Sequence, residues 1–434
     1  MFIPSLNALS TIMTVNLIRI KRSLTYQLVQ TLLFVLPVFT SISSLAQSEE
    51  LNIPVMETGI KPDMPSIWID KHTGYTVRKL TNSEQVARSF YFHNQPFLKS
   101  KNNEDDLMIY YGNTDKGRQL FCINLSTFEV TQLTNDNKPK SGEILAVDSR
   151  EAFYQSQDSV FAVSIDNATT RLVYVFPEGF KGYISTLNAD ETKLAGTWAS
   201  PEKDSILKKH PSKGEFFDRI FEANLPHTLF TIDINTGELD KIHSENTWLG
   251  HIQFSTIDPD ILMFCHEGPW HKVDRIWHIN IETGVVSKVH ERTINREIAG
   301  HEFWSWDGKK VWYDLQIPRG ETFYLASYTL SSGKMKKLKL DRNEWSIHYN
   351  ISNNQQYFAG DGGDERQVAK APDGMWIYLF TPKRNKLKSE KLVNMQHHNY
   401  RLEPNVHFSP DDKWIIFRAD FGNGSQIYAV DVEK

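Results

Sequence analysis

One hydrophobic pattern keeps returning along the chain. A run of β-branched and aromatic residues is followed by a polar gap, a second such run ending in a turn, and a third run. The clearest copy is Leu107–Tyr111, Gln119–Leu125 and Val130–Leu133. Further copies begin at Ala152, Lys193, Ile261, Lys310 and Gln356, and a last one at Trp414 runs to Asp431 without its third strand. Tyr75–Leu80, near the start of the repeats, has the missing strand's character and no partners of its own. Six whole copies and one split copy, spaced by roughly 40–50 residues, predict an all-β, seven-bladed β-propeller closed by strands from both termini. Turns such as Asn235-Thr236-Gly237, Glu282-Thr283-Gly284 and Ser331-Ser332-Gly333 join neighbouring strands. Long helical periodicity is absent; only the insert from about Glu202 to Ala223 suits a short helix.

Residues 1–46 read as an export signal. Lys21 and Arg22 precede an apolar run from Leu28 to Ile42, and Ser44-Leu45-Ala46 offers small residues for cleavage. An uncleaved anchor is the competing reading, but the run is short and interrupted for a span that needs about 20 apolar residues. No later stretch suits a membrane span. Residues 47–66 read as a polar linker and 67–434 as the propeller, in a periplasmic or secreted protein. The 434 residues are 40% hydrophobic and 12% aromatic, enough for a large core. A formal charge of −5 gives no basic field to hold nucleic acid. Cys122 and Cys265 both lie in apolar strand runs and are expected to be buried free thiols.

Chemistry concentrates between the repeats. His251 precedes the fourth copy and His266 follows its first run; His301 precedes the fifth and His348 the sixth; His398, Glu403, Asn405 and His407 precede the seventh. In a propeller these positions fall on loops that enter or leave the innermost strands, so each blade would offer one group to a shared cavity. Imidazoles near neutral pH suit proton transfer or metal binding.

At these residues the chain resembles the oligogalacturonate lyases of polysaccharide lyase family 22. The likeness rests on Trp248-Leu249-Gly250-His251, Phe264-Cys265-His266-Glu267-Gly268-Pro269, Val273-Asp274-Arg275-Ile276-Trp277, His301-Glu302-Phe303-Trp304, His348 with Gly360-Asp361-Gly362, and Phe408-Ser409-Pro410-Asp411. It spans roughly residues 68–432. It implies a seven-bladed propeller that cleaves small oligogalacturonides, as in pectin degradation, by β-elimination with a divalent metal of the Mn²⁺ kind. It also implies His301 as the base, His348 as a metal ligand and Arg275 as a contact to the substrate carboxylate. Tyr91, His93 and Gln95 would touch substrate, with His251 and His266 lining the cavity.

The resemblance departs at the remaining ligands. Where the family pattern has glutamine and two histidines, this chain has Tyr400, Glu403 and Asn405. Three outcomes stay open. A metal is held by His348, Glu403 and His398 with Asn405 as a weak donor; the site is shifted onto His397 or His407; or Arg275 or Arg401 neutralises the carboxylate without a metal. The alternative from another class is a non-catalytic propeller, similar to the repeat domains of TolB, that binds sugars or proteins. No Gly-x-Ser-x-Gly elbow supports a serine hydrolase.

Overall fold

The computed structural model describes residues 53–81 and 86–434. The expected export signal, residues 1–46, lies outside the described residues. No described helix is long and apolar enough to cross a membrane.

The described residues form an all-β fold of six sheets. Three are four-stranded antiparallel meanders: Ser141–Ala146 to Thr170–Val175, Gly182–Leu187 to Leu239–Glu245, and Leu249–Phe254 to Val286–Lys288. An eight-stranded sheet joins two more meanders, Ile298–Trp304 to Lys334–Leu340 and Tyr349–Ile351 to Lys386–Asn394. The join is a single parallel bridge between Lys339 and Lys386. A five-stranded sheet runs from Ala87–Arg88 to Val130–Gln132. In the sixth sheet the N-terminal strand Thr76–Lys79 pairs antiparallel with the C-terminal strand Ser425–Asp431, Val77 opposite Val430, as the leftover strand predicts.

Cores lie between sheets rather than within them. Ile416 and Ile427 share a cluster with Met108 and Ile123 of the next sheet. Ile109 packs with Tyr154, Phe153 with Phe230, Leu229 with Phe264, and Met263 with Val311, each pair taken from consecutive sheets. The last cluster returns to the first sheet by uniting Tyr349 and Phe380 with Trp68, Val77 and Phe417. Each sheet thus buries both faces, which explains strands that are apolar on both sides.

Two features differ from the expectation. The three runs of each repeat are the outer three strands; the first strand of each meander had read as an entry loop. The stretch expected to be a polar linker also contributes a strand to the sixth sheet. Val55–Met56 pairs parallel with Ile67–Asp70, and Thr58 is buried between Asp70 (2.7 Å) and the Trp68 indole (2.8 Å). A polar hydroxyl that satisfies two buried partners ties this segment down despite its low apolar content. Both cysteines are buried and free.

Candidate active site

Two first strands carry the same local device. In Leu249–Phe254 and Ile298–Trp304 a Gly-His pair falls where the ladder slips, between Gly250 and Gln253 and between Gly300 and Phe303. His251 and His301 have φ of +46° and +50°. Left-handed backbone is uncommon in residues other than glycine, costs about 1–3 kcal/mol, and concentrates at functional sites. The bulge interrupts the two-residue alternation and re-aims the histidine. Asn405, just before His407–Phe408, has a φ of +52°. Gly300 is required for packing as well, since a Cβ there would lie 2.6 Å from the Trp270 ring.

His301 is half-buried, its ring centroid 5.1 Å from His348 and 4.9 Å from Trp270, edge-on to both. Its Nδ1 is buried without a hydrogen-bond partner. Burial, then the neighbouring His348 and Arg275, push its pKa well below the usual histidine range, so it is neutral at pH 7. His348 is fixed more tightly. Asp361 accepts from its Nδ1 at 2.8 Å and from its main-chain N–H at 2.9 Å. With the proton held on Nδ1, Nε2 offers a lone pair, which faces the Tyr91 hydroxyl at 3.1 Å and the Glu403 carboxylate at 3.8 Å. Phe92 stacks on the imidazole at 4.6 Å.

Behind His301 lies a buried ionic wall. Arg275 is 1% exposed; it donates through Nη1 to Glu267 at 2.7 Å and through Nε to Glu302 at 3.3 Å, under the face of Trp270 at 4.7 Å. His251 sits 3.3 Å from Glu267 and 3.7 Å from Glu302. Burial acts to raise the pKa of Glu302, but Arg275 and His251 outweigh it and hold it at about 2. Cys265 donates to the same carboxylate at 2.8 Å.

The oligogalacturonate lyase family profile matches residues 65–434. The chain belongs to the oligogalacturonate lyase family. It is 26% identical over 383 residues to the oligogalacturonate lyase of Dickeya dadantii (strain 3937), covering 84% of this chain and 95% of the relative. A solved oligogalacturonate lyase in complex with manganese superposes with a TM-score of 0.72 at 24% identity, covering 86% of this chain and 97% of the other. The oligogalacturonate lyase of Vibrio parahaemolyticus gives 0.74 at 24% identity, covering 86% and 99%. These two likenesses establish the fold.

Of the expected site residues, the structure gathers His301, His348, Tyr91, His93, His251 and Glu403. Tyr91 lies 5.0 Å from His93 and 6.3 Å from His251, ring to ring, at a cavity of about 270 Å³ lined by all three. Several expectations need correction. Arg275 does not reach the cavity surface, because its guanidinium is buried between two carboxylates; it acts on the site through its charge. His266 points to the opposite face of its strand from Cys265, stacks on Trp277 at 4.9 Å and approaches Glu245 at 3.2 Å. Gln95 lines an adjoining cavity of about 360 Å³ with His407 and Trp306, and His93 borders both cavities. Arg401 is exposed on its loop.

The metal ligands divide in the same way. Among the described residues no three His, Cys, Asp or Glu side chains form a metal-holding group. His398 turns away, its Nε2 on the Leu402 carbonyl (2.8 Å) and its Nδ1 accepting the Asp420 N–H (3.0 Å). Asn405 is buried, its oxygen accepting from Phe92 N–H (3.0 Å) and its amide donating to the Glu403 carbonyl (3.0 Å). It shapes the loop instead of offering a ligand. His348 and Glu403 fit a divalent cation: one imidazole nitrogen with its proton fixed on the far side, and one half-exposed carboxylate. Asp361, Glu267, Glu302 and Trp270 were missed as site residues. The signal lay in the motifs themselves, where each glutamate directly follows a histidine.

Proposed function

We propose that this protein cleaves oligogalacturonides by β-elimination, with neutral His301 taking the proton from C5 of the uronate. The electron pair of that C–H bond forms the C4–C5 double bond, the C4–O bond breaks, and the leaving oxygen takes a proton from water. The observation that carries the reading is the pairing of His301, neutral at pH 7, with His348, whose Nε2 carries the lone pair, their ring centroids 5.1 Å apart. Tyr91 and His251 border the cavity where the sugar would sit. Burial, then His348 and the Arg275 held between Glu267 and Glu302, keep His301 unprotonated.

His348 and Glu403 are the residues that would hold a manganese-like cation. Bound there, it would supply positive charge to the substrate carboxylate, which makes the C5 proton more acidic. The six sheets, with cores shared in sequence and returning to the first, support a ring of seven blades in which the eight-stranded sheet counts as two. Export to the periplasm or beyond remains our proposal for residues 1–46. The non-catalytic alternative gives way to membership of a lyase family.

The test is the ultraviolet absorbance of the new double bond when purified protein meets digalacturonate or trigalacturonate with Mn²⁺. We expect turnover by wild type and a fall in kcat of about 10²–10⁴ in His301→Ala, the span of general-base catalysis. A variant that keeps wild-type kcat would remove His301 from the role.

A further inference from the structure

The only two α-helices among the described residues, α1 (Pro201–Lys209) and α2 (Lys213–Glu222), interrupt one meander between Lys193–Ala199 and His227–Asp233. They contribute almost nothing to the core: α1 buries no residue and α2 only Ile220. Instead they sit on the wall of the candidate site. Phe221 packs so closely on Gly268 that a Cβ there would lie 2.4 Å away, and Phe217 meets Trp248 edge-on at 5.4 Å. The Trp248 carbonyl accepts the main-chain N–H of Glu267 at 2.7 Å, so the insert touches the segment that carries Glu267 and Trp270.

Lys203 on α1 is held in this seam. Its ammonium lies 4.9 Å from the Trp248 ring and 3.3 Å from His227 Nε2. His227 Nδ1 faces the Leu225 carbonyl at 3.0 Å, so Nδ1 carries the proton and Nε2 accepts from Lys203. Burial holds the pKa of His227 at about 4, and it stays neutral. His227 therefore adds no positive charge beside Lys203; burial lowers the Lys203 pKa to about 8, and it is mostly protonated at pH 7. Among the described residues it makes no ion pair within 4.0 Å, although Glu267 and Asp204 act on it from farther away. Of three N–H donors, one is committed to His227. A half-buried ammonium with no close counter-ion beside the candidate site suits an anion. The substrate carries one carboxylate per sugar, and the His301–His348 pair serves only the sugar that reacts.

We infer that Lys203 binds the carboxylate of a galacturonate unit next to the one that loses its proton, so that the helical insert reads the anionic neighbour. This rests on the proposed lyase activity. The test is steady-state kinetics of wild type, Lys203→Met and Lys203→Arg on trigalacturonate, with thermal melts of each. We expect Lys203→Met to raise KM by about tenfold to a hundredfold, the range of a hydrogen bond between charged groups, with kcat within twofold. Lys203→Arg, which keeps the charge, should restore most of the affinity. A role confined to holding the insert predicts instead that Lys203→Arg fares no better than Lys203→Met, or that kcat falls with KM unchanged; either result overturns the assignment. KM within twofold of wild type in Lys203→Met overturns it too. Wild-type protein that forms no unsaturated product overturns the lyase reading itself, a different result from an active wild type indifferent to Lys203.

Discussion

Asp361→Asn isolates the group that decides which nitrogen of His348 faces the cavity. Asp361 accepts three N–H groups: His348 Nδ1 (2.8 Å), the His348 main chain (2.9 Å) and the Asn405 main chain (3.2 Å). A carboxylate has lone pairs for all three. Asparagine keeps one oxygen and puts an NH₂ in the other place. With the NH₂ toward the ring, a donor meets a donor, and relief requires the imidazole proton to move to Nε2; the Asn405 N–H then loses its acceptor. With the amide flipped, the His348 main-chain N–H is orphaned. Either way one buried donor is lost, at about 1–3 kcal/mol, and a charge-assisted bond weakens by about 1 more. The expected destabilisation is about 2–4 kcal/mol. In the tautomer-switched form Nε2 carries hydrogen and has no lone pair for a cation. Manganese affinity should fall at least 10–100-fold, the usual effect of losing the group that orients a ligand. The fall in kcat on trigalacturonate should be about 10²–10⁴, as for other wrong-tautomer substitutions. The assay pairs manganese calorimetry with double-bond absorbance, well below the melting transition. An Asp361→Asn protein with kcat within threefold of wild type and unchanged manganese affinity would refute the reasoning.

Other outcomes follow from the same geometry. Because burial, His348 and Arg275 push the pKa of His301 well below 6.5, the proposed base stays unprotonated as pH falls from 8 to 6, and kcat at saturating substrate should be flat over that range; an acid limb centred near 6.5 would contradict it. In metal titrations Glu403→Gln should weaken manganese binding, whereas His398→Gln should not, because both His398 nitrogens are taken by backbone groups; equal losses would restore His398 as a ligand. Folding stability should decline from pH 6.5 to 4. Burial holds His398 and His407 at about 4 in the folded chain, so their stabilising effect is intact above 6.5 and is lost as the unfolded chain takes up protons. Urea midpoints at pH 7, 6 and 5 should fall in step, by up to about 1.4 kcal/mol per pH unit for each histidine.

The outer strands of each sheet were legible because they obey simple chemistry: β-branched and aromatic runs, apolar on both faces, punctuated by Asn-Thr-Gly and Ser-Ser-Gly turns. The first strands were not, and the reason is physical. Leu249–Phe254 and Ile298–Trp304 contain a glycine and a left-handed histidine that break the alternation on which strand recognition depends. Tyr349–Ile351 and His407–Phe408 are too short to establish a period. The segments that hold the site are thus the ones that look least like strands. The pairing of both termini in one sheet was readable, since a lone strand without partners has to find them elsewhere.

The same bulges explain which side-chain roles could be foreseen. His301 and His348 are named by residue type and by motif. Arg275 has the right charge, but its position depends on which face of the strand each neighbour takes. In Ile261–His266 alternation puts Cys265 against Glu302 and sends His266 the other way, toward Trp277 and Glu245. Glu267 then falls on the Arg275 side with Cys265. In Ile298–Trp304 the slip between Gly300 and Phe303 lets His301 turn toward His348 while the next residue, Glu302, is driven inward to the same guanidinium. Two adjacent residues therefore serve one proton transfer from different depths. The half-buried one is the proposed base, and the buried one, held at about 2, keeps a compensated charge behind it. The compensation matters because an unpaired Arg275 would depress His301 further and disfavour the imidazolium that forms when C5 is deprotonated. With Glu267 and Glu302 both ionised, the wall carries one charge more negative than positive. A cation held by His348 and Glu403 would bring positive charge to the substrate carboxylate from the other side.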